Sequence, residues 1–344
     1  MKKMFALLLV LCMSFQALCA EEFFYSHQSV TDSAKTFSTY DAFYASGEMS
    51  VLIPGLKEHF VPQGVSYIPE KNWFIFSGYS GMEYKSPLLV VDAESGLLVK
   101  EVFLQYSDGS AYIGHAGGIA VTEKNIFIAN SGYLWRISLE KFFSLPDSSD
   151  CSFEEVIAVP SRASYCSYAD GILWVGEFQY SGYPTDESHF IQTEDGEHKA
   201  WLIGYELDQT QENELKASSC ASVPAVPDRI LTTTNRIQGM TIKDGNIYLS
   251  QSYGRKNASA LMKYASPFDE EPFAYVNLSG VQVPLWTLTS SVLKDKLTMP
   301  PMSENLVNVD DAVHVLFESA ASMFMLTGNR SSNPIDRLFC LKGF

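Results

Sequence analysis

The sequence predicts an all-β, single-domain β-propeller of five blades, on three observations: a blade-sized unit recurs along the chain, each unit is a run of short strands joined by polar turns, and long helical periodicity is scarce. The recurring segments are QGVSYIPEKNWFIFSG from Gln63, GGIAVTEKNIFIANS from Gly117, ASYCSYADGILWVGE from Ala163, QGMTIKDGNIYLSQS from Gln238 and ENLVNVDDAVHVLFE from Glu304. Each opens on an apolar-alternating strand, passes through a polar turn such as Asp170-Gly171 or Asp244-Gly245, and continues in a β-branched or aromatic strand. That is the grammar of an antiparallel hairpin.

A third strand is expected after each hairpin, at 88–92, 133–139, 200–207, 260–265 and 337–342. A fourth, outer strand is expected after each of the first four units, for example at 98–104 and 154–159, but the fifth unit has none after it. The apolar segment 48–56, EMSVLIPGL, is expected to complete that last blade and close the ring, because an unpaired edge in a ring invites association. The intervals 209–230 and 266–298 are wide enough to make six blades the alternative count. Helical spacing is confined to 30–44 and 290–297.

Residues 1–20 read as an export signal: Lys2 and Lys3, an apolar run, and a small-residue exit at Ala17 and Ala20. Residues 21–47 then form an N-terminal extension and 48–344 the propeller, in a periplasmic or secreted setting. A lipid anchor at Cys19 is disfavoured because Leu18 is bulky where a small residue is needed. No later apolar run is long enough for membrane insertion.

The formal net charge is −16, which argues against nucleic acid and anionic membrane surfaces as partners. Cys151, Cys166, Cys220 and Cys340 follow the leader; Cys151 with Cys166 is the shortest possible disulfide loop, and buried free thiols are the alternative. The triplets at Asn257, Asn277 and Asn329 match the glycosylation acceptor, which matters only in a eukaryotic host.

In a propeller the loops entering the inner strands surround a central channel, which is the default ligand site. The repeats share a small or polar position at Gly64, Gly118, Ser164, Gly239 and Asn305, and the residues just before it are Gln63, Gly117, Ala163, Gln238 and Glu304. His115 and Arg236 stand three residues before the shared position, while Glu177 and Glu318 end second strands. The expected ligand-binding set is Gln63, His115, Arg236, Gln238 and Glu304, holding a small polar molecule or a peptide, without catalysis. Should the chain be an enzyme, Glu304, Glu318 and His115 are the candidate catalytic groups. Tyrosines on Gly-Ser segments, among them Tyr79, Tyr180, Tyr183 and Tyr253, suit either a stacking surface or packing between blades. Metalloprotease, P-loop, nucleophile-elbow and EF-hand motifs are all absent from the sequence.

Blade one, VPQGVSYIPEKNWFIFSGYSG followed by SPLLVVDAESGLLVKEVFL, resembles the first blade of the plant-type glutamine cyclotransferases, and RIQGMTIKDGNIYLSQSYGR echoes it. The resemblance implies a five-bladed propeller and cyclisation of N-terminal glutamine to pyroglutamate. Where that family carries a glutamate before its Ser-Thr-Gly segment, this chain has Phe76. A looser resemblance is to gluconolactonase and strictosidine synthase-like propellers, in which a glutamate near the start of an inner strand helps hold a divalent metal. It implies Glu304 as a Ca2+ ligand and a metal-assisted lactone hydrolase; the residues alone imply no cofactor.

Overall fold

Strands that bury both faces read as nearly continuous apolar runs, and this chain uses them to separate five hydrophobic cores. Along Trp73–Ser80, Phe74 and Phe76 pack one way with Val65, Leu316 and Leu338, while Ile75 packs the other way with Ile119, Ile126 and Ile137. The computed structural model describes residues 23–31, 38–81, 84–216, 222–326 and 330–344. Within them, the five clusters each lie between successive sheets, the last between the fifth and the first.

Those sheets are five blades of a β-propeller. Blade I runs Phe60–Ile68, Trp73–Ser80, Pro87–Asp92 and Leu98–Gln105. Blade II is Gly118–Val121, Asn125–Asn130, Tyr133–Ser138 and Glu155–Ala158, and blade III is Tyr165–Ala169, Ile172–Gly176, Ala200–Glu206 and Arg229–Thr233. Blade IV is Ile237–Lys243, Asn246–Gln251, Ser259–Ala265 and Leu293–Met299. Blade V takes Ser303–Val309, Ala312–Phe317 and Arg337–Leu341 from one end of the described chain and Gly47–Leu52 from the other, with Gly47 opposite Leu341. Several hairpins turn on left-handed residues, Asp170-Gly171, Asp244-Gly245 and Asp310-Asp311, a geometry that matches the twist of the paired strands.

Two outer edges gain a further strand from the next unit along the chain. Ser149–Ser152 lies parallel to Leu98–Gln105, and Val281–Thr287, paired with Ala274–Leu278, lies parallel to Arg229–Thr233. The wide interval 266–298 is therefore a hairpin covering blade III plus the outer strand of blade IV, and among the described residues there is no sixth blade.

The segment expected to be helical at 290–297 is instead part of the strand Leu293–Met299. As an outermost strand it is largely exposed, so it lacks alternation, and Leu293 and Leu297 mimic a helical spacing of four. Of the other helical stretch, Ser38–Tyr40 is a 3₁₀ turn and Asp41–Ala45 a short helix; residues 32–37 lie outside the described residues. So do the signal segment 1–20 and Cys220. Cys151, Cys166 and Cys340 are free and buried, which corrects the Cys151–Cys166 disulfide: Cys151 sits on the outer edge of blade I and Cys166 in the inner strand of blade III.

The extension is anchored by two buried carboxylates. Glu101 accepts from the backbone N–H of Phe24 (2.7 Å) and Tyr25 (3.1 Å), and Asp336 accepts from those of Val30 (3.0 Å) and Thr31 (3.2 Å).

The shared small position is where neighbouring inner strands nearly touch. A Cβ on Gly118 would lie 2.4 Å from the Cys166 nitrogen, and one on Gly239 would lie 2.4 Å from the Asn305 Cα. Both obstacles are backbone, which cannot swing aside. Gly118→Ala is expected to lower unfolding stability by about 1–3 kcal/mol, as overpacking does. Gly343→Ala, whose Cβ would meet nothing within 4 Å, is expected to change it by less than about 0.5 kcal/mol. Urea denaturation of the two variants checks this, and equal stabilities would contradict the close approach.

Candidate functional site

In blades I, IV and V the residue just before the shared small position sits where the inner strand slips register. The shifts fall between Pro62 and Gly64, between Ile237 and Gly239, and between Ser303 and Leu306. A bulge leaves its extra residue outside the ladder and re-aims the side chain. Here the bulged residues are Gln63, Gln238 and the pair Glu304-Asn305. Arg236 and Met302, three residues before the small position, take left-handed φ of 68° and 67° at the entrance to their bulges.

Gln63, Gly117, Ala163 and Gln238 all line one cavity of about 350 Å³ at the channel mouth. His115, Asn130, Ser131, Ser164, Phe178, Tyr180 and Tyr183 complete its wall. Glu304 is 2% exposed and accepts a hydrogen bond from Gln238 Nε2 at 3.1 Å. Glu318, half-buried, accepts one from Gln63 Nε2 at 2.9 Å. Four of the five aligned positions thus meet at the cavity, and the fifth is tied to it through a glutamine.

The two carboxylates are held in unfavourable surroundings. Burial, opposed by the Gln63 hydrogen bond and the positive charge of Arg255, pushes Glu318 up to about 7. Burial and the neighbouring Glu318 charge push Glu304 well above the usual carboxylate range. Like charges in a low-dielectric wall cannot both ionise cheaply, so the pair keeps a proton near neutrality.

His115 opens its ring to the cavity and stacks on Tyr79, with centroids 4.7 Å apart and planes 22° from parallel. The concave wall around it lowers its pKa from the ordinary 6.5, so it is neutral at physiological pH. Arg236 does not join the cavity wall: its guanidinium lies 4.5 Å over the Tyr253 ring. Phe178 went unnoticed in the sequence because it lies outside the repeat, just past the second strand of blade III; it sits 5.7 Å from Tyr180. Ring-rich segments after second strands are the signal that locates this wall.

Below the cavity, Asn305 crosses the axis. Its Nδ2 donates to the Cys166 carbonyl oxygen of blade III at 3.1 Å, between the mouth and a second cavity of about 300 Å³ lined by Tyr67, Tyr168 and Thr241. Glu177 lies elsewhere, at a cleft of about 780 Å³. It accepts from Arg162 N (2.8 Å), Trp201 N (2.9 Å) and His189 Nδ1 (3.0 Å), a structural set of partners. Phe76, at the position of the cyclotransferase glutamate, packs into the core between blades V and I and presents nothing to the cavity.

No protein-family model matches the chain, and no curated protein matches it in sequence. Three solved structures follow a similar course. The glutaminyl cyclase of Myxococcus xanthus is 12% identical, with a TM-score of 0.42, over 86% of this chain and 94% of that one. A Thermus thermophilus protein described as an oxidoreductase of the glucose dehydrogenase kind is 12% identical, with a TM-score of 0.38, over 85% of this chain and 98% of that one. The hydrazine synthase of Kuenenia stuttgartiensis is 11% identical, with a TM-score of 0.36, over 74% of this chain and 55% of that one. None of them lends this chain a site residue.

Among the described residues no three His, Cys, Asp or Glu side chains are grouped to hold a metal ion, and Glu304 has glutamine and glutamate for neighbours.

Because the folded pKa of Glu318 lies above the unfolded value near 4.3, its contribution to stability is complete below that value and is lost as pH rises through about 7. Glu318→Gln keeps an acceptor for Gln63 and removes the charge. It is expected to raise the melting midpoint over wild type by roughly 2 °C or more at about pH 8, and by clearly less at about pH 5. Calorimetry at the two pH values checks this, and a shift of equal size at both would contradict it.

Proposed function

We propose that this propeller is an exported binding protein that holds a small polar molecule, or the end of a peptide, at its channel mouth. One observation carries the reading. The amide nitrogens of Gln63 and Gln238 are committed to Glu318 and Glu304, and among the described residues nothing donates to either amide oxygen. Both side chains line the cavity, so two fixed acceptors face whatever enters it. Phe178, Tyr180 and Tyr183 supply apolar walls on which a flat or aliphatic group rests. The favoured ligand therefore carries hydrogen-bond donors on an otherwise compact, partly apolar frame.

A thermal-shift screen of amines, amides and neutral sugars is expected to find compounds that raise the melting midpoint. For any such compound, Gln63→Leu with Gln238→Leu is expected to weaken binding by about tenfold or more, the effect of losing hydrogen bonds in a dry site. Affinity unchanged in a folded double variant would remove the reading.

A second reading, acid–base catalysis as in a hydrolase or a cyclotransferase relative, is favoured by the proton that Glu304 and Glu318 keep near neutrality. Ammonia released from a peptide with N-terminal glutamine, or acid from a lactone, abolished by Glu318→Gln, supports it. No release above background excludes both substrates.

A further inference from the structure

Behind the wall of the mouth stand two carboxyl groups with few cationic partners. Glu304 is buried and Glu318 half-buried, and the hydrogen bonds they receive from the cavity wall come from the neutral amides of Gln238 and Gln63. The groups that face the pair are few. From blade IV, Arg255 acts on Glu318 while its guanidinium lies 4.6 Å over the Phe324 ring. From blade I comes Tyr79, whose phenol is driven up by burial and by both carboxylates and so stays neutral. Behind Tyr79 stacks the neutral imidazole of His115.

One guanidinium set against two carboxylates leaves a full negative charge without a cation. Buried charge of that kind is costly unless it is paired or neutralised by a proton. The neighbouring arginines do not supply the missing cation. Arg236 lies over Tyr253, and Arg162 lies 3.4 Å over Tyr183 and donates to the Pro184 carbonyl oxygen.

Independent features of the cavity point to what would. Gln63, only 5% exposed, lines it with an amide oxygen that no described residue serves. Phe178, Tyr180 and Tyr183 offer ring faces, and aromatic faces attract ammonium groups. The net charge of −16 draws cations toward the whole molecule.

We infer that the ligand of the mouth is a small organic cation, an ammonium-bearing molecule, held at the amide oxygens of Gln63 and Gln238 with the carboxyl groups of Glu318 and Glu304 behind them. This rests on the binding-site reading above and specifies its ligand. The exchange is simple: the ammonium enters with its own charge, one protonated carboxyl of the Glu304–Glu318 pair releases its proton to solvent, and the carboxylate left behind Gln63 and Gln238 balances the ammonium across them. Gln63 and Gln238 accept from its N–H groups, and the rings cover its carbon frame. Affinity must therefore rise with pH while the pair is losing its proton, and level off above that range.

The test compares benzylamine with its uncharged counterpart benzyl alcohol, by titration calorimetry on the whole exported chain in buffers of different protonation enthalpy. Benzylamine affinity is expected to rise about tenfold between about pH 5.5 and about pH 6.5, with about one proton released per molecule bound. Benzyl alcohol is expected to bind more weakly and without pH dependence. In Glu318→Gln, benzylamine should lose about tenfold or more in affinity and lose its pH dependence, while benzyl alcohol is unaffected.

If amine and alcohol bind alike at every pH, the cation is wrong while the binding site stands. If benzylamine binds tightly but survives both Glu318→Gln and Glu304→Gln, the cation sits elsewhere and the inference falls. If neither probe binds a protein that unfolds cooperatively, the cation and the binding-site reading fall together.

Discussion

The near-contact of inner strands at the axis is the constraint on which everything else in this molecule rests. Blades I, II and IV bring a glycine so close to a neighbouring inner strand that a Cβ there would collide with backbone: on Gly64 it would lie 2.7 Å from the Ile119 nitrogen, and on Gly118 2.4 Å from the Cys166 nitrogen. With five sheets around one axis the strands converge at their inner ends and diverge outward. The inner ends need small residues, and the diverging space is filled by the large side chains of the five clusters, among them Trp174, Trp201, Phe76 and Phe127. The same convergence is met in blade V by Asn305 rather than by glycine. Its side chain turns across the axis to Cys166, so the crowding becomes a hydrogen bond that ties opposite blades.

Convergence also builds the site. Three inner strands slip register at the crowded point, and a slip in a strand of period two changes where a side chain points. Gln63, Gln238 and Glu304 owe their direction to those bulges. The loops that must enter at the same end carry the rings, so an apolar wall and a polar floor arise from one geometric necessity.

Much of this was legible in the sequence because blade strands bury both faces. Runs such as WFIF and PLLVV stand out against their turns, and the small position before each run aligned all five units and pointed to Gln63, Gln238 and Glu304. What was not legible depends on pairings between distant segments. Nothing local marks Ser149–Ser152 or Val281–Thr287 as edge covers for the preceding blade, since parallel pairing leaves no hairpin signal. The outermost strand Leu293–Met299 lost its alternation to solvent and read as a helix. Cys151 and Cys166 are close in sequence, but one covers the rim of a blade and the other lines the axis. Arg236 occupied the expected slot, yet its long side chain found Tyr253 instead of the cavity.

Local rules hold almost everywhere in this fold, and the departures therefore carry information. Apolar strands, left-handed turn residues and buried carboxylates that serve backbone N–H groups, such as Glu101, Asp336 and Glu177, all favour the folded chain. Glu304 and Glu318 do the opposite. They place two carboxyl groups together where burial favours neither ionised form, with neutral amides for partners. Glutamine at either position would keep the hydrogen bond and relieve the repulsion, so folding alone gives no reason for the acids. Their position agrees with the binding role proposed above: each grips a glutamine that lines the mouth. A pair that weakens the fold at the one place where bulges and rings converge is better understood as part of the site than as part of the scaffold.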